Sequence, residues 1–167
     1  MPQTFPEMFL LDSRKRTPAR QPEQPAPRTR RQNELALAGV PLFSGISRKH
    51  LGKLAAQADE MRFEPGQTLV QEGMKGETLF VVLAGQAKVV RGKRKVGEVL
   101  PGDFFGELSA IDAEPRTASV VAQTPMRVLR VFRHTLVKMI EDEPGFAVKL
   151  LDGMVRRLRQ IRQSSGG

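Results

Sequence analysis

From Met61 to Phe132 the chain alternates short apolar runs with turn residues, and that rhythm predicts strands. The runs are Met61 to Glu64, Thr68 to Gln71, Thr78 to Leu83, Ala87 to Arg91, Val96 to Leu100, Ala118 to Ala122 and Arg127 to Phe132. They are rich in Val, Leu and Phe, side chains that suit a half-buried pleated surface. Between them stand Pro65-Gly66, Gly73 with Gly76, Gly85, Gly92 and Pro101-Gly102, residues that turn a backbone cheaply. Strands this short and evenly spaced predict a mainly β domain with flanking helices, built as a jelly-roll β-barrel. The turn glycines of this region are read as hairpin chemistry, and Gly92-Lys93-Arg94-Lys95 as a solvated hairpin tip.

On either side the period becomes helical. Order is expected to begin at Asn33, a cap for Glu34 to Ala38, with Pro41 ending the turn. Ser47 caps a second helix, Arg48 to Ala58, with Leu51, Leu54 and Ala55 on one face. After the last strand, His134 to Glu143 reads as helix, and Pro144 opens another that runs to about Gln163. In that final helix Ala147, Leu151, Met154, Leu158 and Ile161 recur at spacings of four, three, four and three, a heptad seam. Phe146, Leu150 and Val155 lie beside it. A helix with this much apolar surface is expected to pack on the barrel, with the seam open to a second copy of the chain.

Composition divides the chain further. Residues 1–32 hold six of the twelve prolines and few large apolar side chains, which predicts a disordered tail. The domain is then expected over 33–163: a helical segment at 33–60, the barrel at 61–132, and C-terminal helices at 133–163, with a short disordered tail at 164–167. The formal charge of +9 sits at the ends. Residues 1–32 carry seven Lys/Arg against three Asp/Glu, and residues 144–167 five against one. Residues 33–143 are nearly balanced, with fifteen against fourteen. A DNA-reading domain usually carries its charge on a folded face, so specific DNA binding is not expected. Cysteine is absent, which excludes disulfides and thiolate metal sites. No apolar run has the length of a membrane span, and no basic leader precedes the patch Met8 to Leu11, so a cytoplasmic location is expected.

The densest chemistry lies between Phe104 and Val120, FFGELSAIDAEPRTASV. Gly106 permits a sharp turn, because glycine alone takes positive φ without steric cost. A short helix starting near Glu107 points free N–H groups at an anion. Nine residues later comes Arg116, a planar, permanently charged fork that suits two phosphate oxygens. Glu107 has the wrong sign for a phosphate. A carboxylate accepts hydrogen bonds, and a sugar hydroxyl is its natural donor. One phosphate and one sugar describe a nucleotide.

This stretch resembles the phosphate-binding cassette of the cyclic nucleotide-binding domain family, which reads Phe-Gly-Glu-Leu-Ala, a variable loop, then Arg-(Ser/Thr/Ala)-Ala-(Ser/Thr)-Val. The residues that match are Phe105, Gly106, Glu107, Leu108, Arg116, Thr117, Ala118, Ser119 and Val120, with Ser109 where the family more often has alanine. Pro41 to Ser47, reading PLFSGIS, is typical of the family's helical prelude, and a weaker likeness runs from Ala36 to Ile161. The resemblance implies a ligand rather than a cofactor: cAMP first, cGMP second. Its cyclic phosphate belongs against the N–H groups of Gly106 to Ser109 and Arg116, and its ribose 2′-hydroxyl on Glu107. Ala118 completes the cassette. Val82, Leu108 and Val120 are candidates for apolar wall by position. In kinase-type members a threonine at the place of Thr117 contacts guanine, whereas bacterial members keep serine or threonine there and bind cAMP.

The chain is expected to be a stand-alone sensor that signals by movement of its C-terminal helix. Trp and Tyr are absent, so no indole or phenol covers the base; Arg156, Arg157 or Leu158 are the candidates. After Gln160 seven residues remain, against roughly fifty for a helix-turn-helix module. The listener is therefore expected to be another protein, and a homodimer through the last helix is a further expectation. Catalysis is not expected: His50 and His134 are far apart in the sequence, and no strand carries the histidine ligands of metal-dependent jelly rolls. Two alternatives are a scaffold that kept the fold without the ligand, and the effector part of a larger DNA-binding regulator.

Overall fold

Every predicted strand forms, and the two longest explain the layout. The computed structural model describes residues 28–165. The expected N-terminal tail falls outside it as far as residue 27. Eight strands are present among the described residues: β1 Asp59–Phe63, β2 Thr68–Val70, β3 Thr78–Ala84, β4 Ala87–Arg91, β5 Arg94–Val99, β6 Phe104–Phe105, β7 Ser119–Ala122 and β8 Met126–Phe132. They make two antiparallel four-stranded sheets, ordered β1-β8-β3-β6 and β2-β7-β4-β5. This is the jelly-roll arrangement; among the described residues the ladders do not join the two sheets into a closed barrel.

β3 reads TLFVVLA and is buried on both faces. Side chains alternate across a strand. Phe80 and Val82 therefore point between the sheets, where they pack with Ala87, Val99, Phe105, Val120, Ala122, Met126 and Val128. Leu79 and Val81 point the other way, into a second cluster with Leu129 and Val131 of β8. That cluster is closed by helices: α1 Arg30–Ala38, α2 Arg48–Gln57, α4 Arg133–Asp142 and α5 Pro144–Ser165, with a 3-10 turn at Pro41–Phe43. The remaining helix, α3 Glu107–Asp112, lies in the connection from β6 to β7.

Two expectations need correction. α1 begins at Arg30, not after Asn33, so residues 30–32 are helical. Thr29 and Gln32 form a reciprocal capping box, the Gln32 side chain accepting from Thr29 N at 2.9 Å, which satisfies two otherwise free donors. Asn33 is then inside the helix and buried. At the other end α5 continues to Ser165, so residues 164–165 belong to the helix rather than to a tail. α5 is anchored through residues that lie beside the predicted seam, which itself stays mostly exposed. Phe146 and Leu150 are buried, with Met154 packed against the same cluster, and Phe146 stacks on Phe43 at 5.7 Å. Leu151 and Leu158 of the seam are 59% and 62% exposed and align with Val148 and Val155 on the outer side. Phe146 and Leu150 lie one position before Ala147 and Leu151, a rotation of about 100° on a helix.

No helix among the described residues is long and apolar enough to cross a membrane.

Candidate functional site

The site grows from the end of β6. Phe105 turns inward and stacks on Phe80 at 5.1 Å, which fixes where the next residue stands. Gly106 then takes φ 82°, a left-handed conformation, and starts α3. Space demands glycine here as well. A Cβ would lie 2.6 Å from Arg116 Nη1 and 2.7 Å from the Thr78 carbonyl oxygen. The amides of Glu107, Leu108 and Ser109 form the first turn, where no helical carbonyl precedes them to accept.

Arg116 reaches the same turn from the start of the segment leading into β7. Its Nη1 donates to Thr78 O at 2.9 Å and to Gly106 O at 3.1 Å, and its Nη2 donates to Thr78 Oγ1 at 2.8 Å. The guanidinium lies 5.8 Å from the Phe80 ring centroid. Burial pulls this group below the usual arginine value, and the Glu107 carboxylate opposes that shift. The Nε–Nη2 edge faces Gly76. A Cβ there would stand 2.5 Å from Nη2 and 2.6 Å from Nε. Gly76 is therefore more than hairpin chemistry, because it leaves room for the fork that matches two anionic oxygens. The backbone of Arg116 is clamped too, by Gly73 N to Arg116 O at 2.8 Å and Arg116 N to Met74 O at 2.9 Å.

Glu107 is 5% exposed. One carboxylate oxygen accepts from Arg157 Nη1 of α5 at 2.7 Å. The other, Oε2, is buried with no partner. Arg157 also donates through Nη2 to Phe104 O and stands over the Phe104 ring at 5.3 Å. The helix lies close at this point: a Cβ on Gly153 would be 2.5 Å from the Phe104 ring. α5 is thus seated on the residues that begin the site.

The structure brings Gly106, Glu107, Ser109 and Arg116 together around one helical turn. Ser109 is buried there. Thr117 is exposed and Ala118 half-buried, beside the Arg116 backbone, and Thr117 O accepts from Arg91 Nε at 3.2 Å. The three wall candidates separate. Val82 and Val120 are buried in the cluster between the sheets, whereas Leu108 is 43% exposed. Of the candidates for covering a base, Leu158 points outward and Arg156 donates to Asp152 O of its own helix. Arg157 reaches Glu107 and Phe104. Thr78 and Gly76 were not among the predicted site residues. Their only sequence signal is a glycine and a hydroxyl at the entry to the most apolar strand.

His50 and His134 sit apart. His50 Nδ1 meets Glu143 Oε1 at 2.5 Å, and His134 stacks on Phe132.

Comparison with known proteins gives these residues a context. The family model described as "Cyclic nucleotide-binding domain" matches residues 60–143. A CRP-like cAMP-activated global transcriptional regulator from Mycobacterium tuberculosis is 34% identical over 135 residues, 78% of this chain and 59% of the relative. The regulatory domain of Toxoplasma gondii PKA, in co-crystal with cAMP, is 27% identical with a TM-score of 0.64, over 76% of this chain and 49% of that one. The regulatory subunit of a cAMP-independent protein kinase A from Trypanosoma brucei is 28% identical with a TM-score of 0.65, over 76% of this chain and 46% of that one. The chain therefore spans less than two thirds of each of these relatives.

Proposed function

This chain belongs to the cyclic nucleotide-binding domain family, and we propose that it is a sensor of a cyclic nucleotide, cAMP in preference to cGMP. The observation that carries the reading is the Oε2 atom of Glu107, a buried carboxylate oxygen without a partner beside three helix-start amides and an arginine fork. Buried polar atoms are nearly always satisfied. A ribose hydroxyl satisfies this one, while the cyclic phosphate takes the amides of Glu107 to Ser109 and the Nε–Nη2 edge of Arg116. Gly106, Leu108, Thr117, Ala118 and Val82 shape the surrounding turn and wall. The preference for cAMP leans on the cAMP named for the Mycobacterium and Toxoplasma relatives.

The same acid supports a route for the signal. Its Oε1 holds Arg157, so any shift of the carboxylate on ligand binding is felt by α5. A ligand moves α5 only by its differential affinity for two helix positions. The listener is a partner protein or a second copy meeting the outer stripe Val148, Leu151, Val155 and Leu158. The chain has a binding and regulatory role rather than a catalytic one in this reading. The Trypanosoma relative, described as cAMP-independent, favours one rival: a scaffold with this fold and no such ligand.

Isothermal titration with cAMP and, separately, cGMP tests the proposal, with Arg116→Ala beside the parent chain. Saturable one-to-one heat that vanishes in the variant is expected. A folded parent that gives no heat with either ligand would leave the scaffold reading standing.

A further inference from the structure

α3 has six residues, too few to hold a helix in water unaided. Three arginines from three other places hold it. Arg116 takes Gly106 O at its start, and Arg157 takes the Glu107 carboxylate. The third is Arg133, the first residue of α4, and it works at the opposite end. Its Nη1 donates to Ala110 O at 3.4 Å and, more closely, to Ile111 O. These carbonyls lie in the last turn, and Ala113 ends the helix with a left-handed φ of 60°. They have no further helical N–H to accept, and a cation there also meets the negative end of the helix.

The backbone of Arg133 is placed with equal economy. Its N–H donates to Glu77 O at 2.9 Å. The next residue is Thr78, whose carbonyl and hydroxyl hold Arg116. Arg133 thus touches the cassette from two directions, through its side chain at α3 and through its main chain at the entry to β3.

We propose that Arg133 is a positioning residue that sets α3 against α4, and so sets where Glu107 and the first-turn amides stand relative to Arg116. This rests on the reading that the cassette takes a cyclic nucleotide, and two separate readouts keep the two ideas apart. The full chain is compared with Arg133→Met, which keeps much of the stem and removes the donors, and Arg133→Lys, which keeps a cation. Without ligand, amide exchange over residues 107–113 rises about tenfold in Arg133→Met while β8 stays protected, and Arg133→Lys restores part of the protection. In titration with cAMP, affinity falls about tenfold in Arg133→Met and recovers in part in Arg133→Lys, the size expected for a lost charge-assisted hydrogen bond. Should Arg133→Met not fold, Arg133→Lys against the parent gives the same two readouts at smaller amplitude. A lowered melting temperature with exchange over 107–113 unchanged, or with cAMP affinity within about twofold of the parent, overturns the proposal and leaves Arg133 a stabilising residue only. If the parent takes up no cAMP, the nucleotide reading fails, and the exchange measurement alone decides whether Arg133 positions α3.

Discussion

The two apolar clusters share β3 and β8 yet are built differently. Between the sheets, every member sits on or beside a strand whose neighbours are fixed in register by ladder hydrogen bonds. Beneath the outer faces of the same strands, the second cluster is completed by side chains from five helices and a 3-10 turn, α1 and α3 giving one buried residue each. A one-residue slip in a sheet turns every side chain to the wrong face, whereas packed helices slide by small amounts at low cost. The proposed site straddles that boundary. Arg116 belongs to the sheet side, held by Thr78 and lying near Phe80. Glu107 belongs to the helix side, tied to α5 by Arg157. The Arg116 side of the proposed site is thereby held by the sheet, and the Glu107 carboxylate is tied to the helices.

The comparison breaks most plainly where the helical cluster loses an anchor. Phe146→Ala removes a fully buried ring stacked on Phe43 and should cost about 3–5 kcal/mol in denaturant unfolding. The expected companion is a loosened α5 with the sheet core still protected in amide exchange. Uniform loss of protection in both clusters would show that they unfold as one unit. On the sheet side, Arg116→Ala should weaken cyclic nucleotide binding by about 2–5 kcal/mol, a thirty- to several-thousand-fold loss, with the fold retained. Titration beside a thermal melt checks both statements.

Smaller changes sharpen the contrast. Gly76→Ala presses a methyl group against the Arg116 fork; it should cost about 1–3 kcal/mol of stability by overpacking and lower ligand affinity as well. An affinity equal to the parent's would mean that the Nε–Nη2 edge is not the anion-binding edge. Thr117→Ala should cost about 0.5–1.5 kcal/mol for cGMP and nothing for cAMP if the hydroxyl meets guanine. The smallest effect on stability belongs to Leu151→Lys, within about 0.5 kcal/mol, because this side chain is exposed. A drop in solution mass from two copies to one in that variant would assign the outer stripe of α5 to self-association.

The strands and the turn at Gly106 were legible because their rules are local. Alternation marks a strand within five residues, and a glycine before an acid marks a left-handed helix start. β6 escaped notice because two residues, Phe104 and Phe105, are too short to alternate. The true start of α1 was hidden by Asn33, a good cap in isolation that loses to the paired cap of Thr29 and Gln32. Gly106, Glu107 and Arg116 could be gathered from one motif. Their supports could not, because no spacing rule joins Arg157 to Glu107 across fifty residues, or Arg116 to Thr78 across thirty-eight. α5 carries apolar residues on two adjoining stripes, and the inner one is held by contacts remote in sequence, among them Phe43 on Phe146 and Phe104 against Gly153.

Gly153 inverts an ordinary ranking. Along most of a 22-residue helix, alanine is the most favourable residue and glycine costs about 1 kcal/mol more. At position 153 the Phe104 ring occupies the space a methyl group needs. In a saturation scan of α5, alanine at that one position should score below glycine, and every larger residue lower still. A helix designer optimising this sequence for propensity alone would replace Gly153 first, and in doing so would lift the helix off the site it attends.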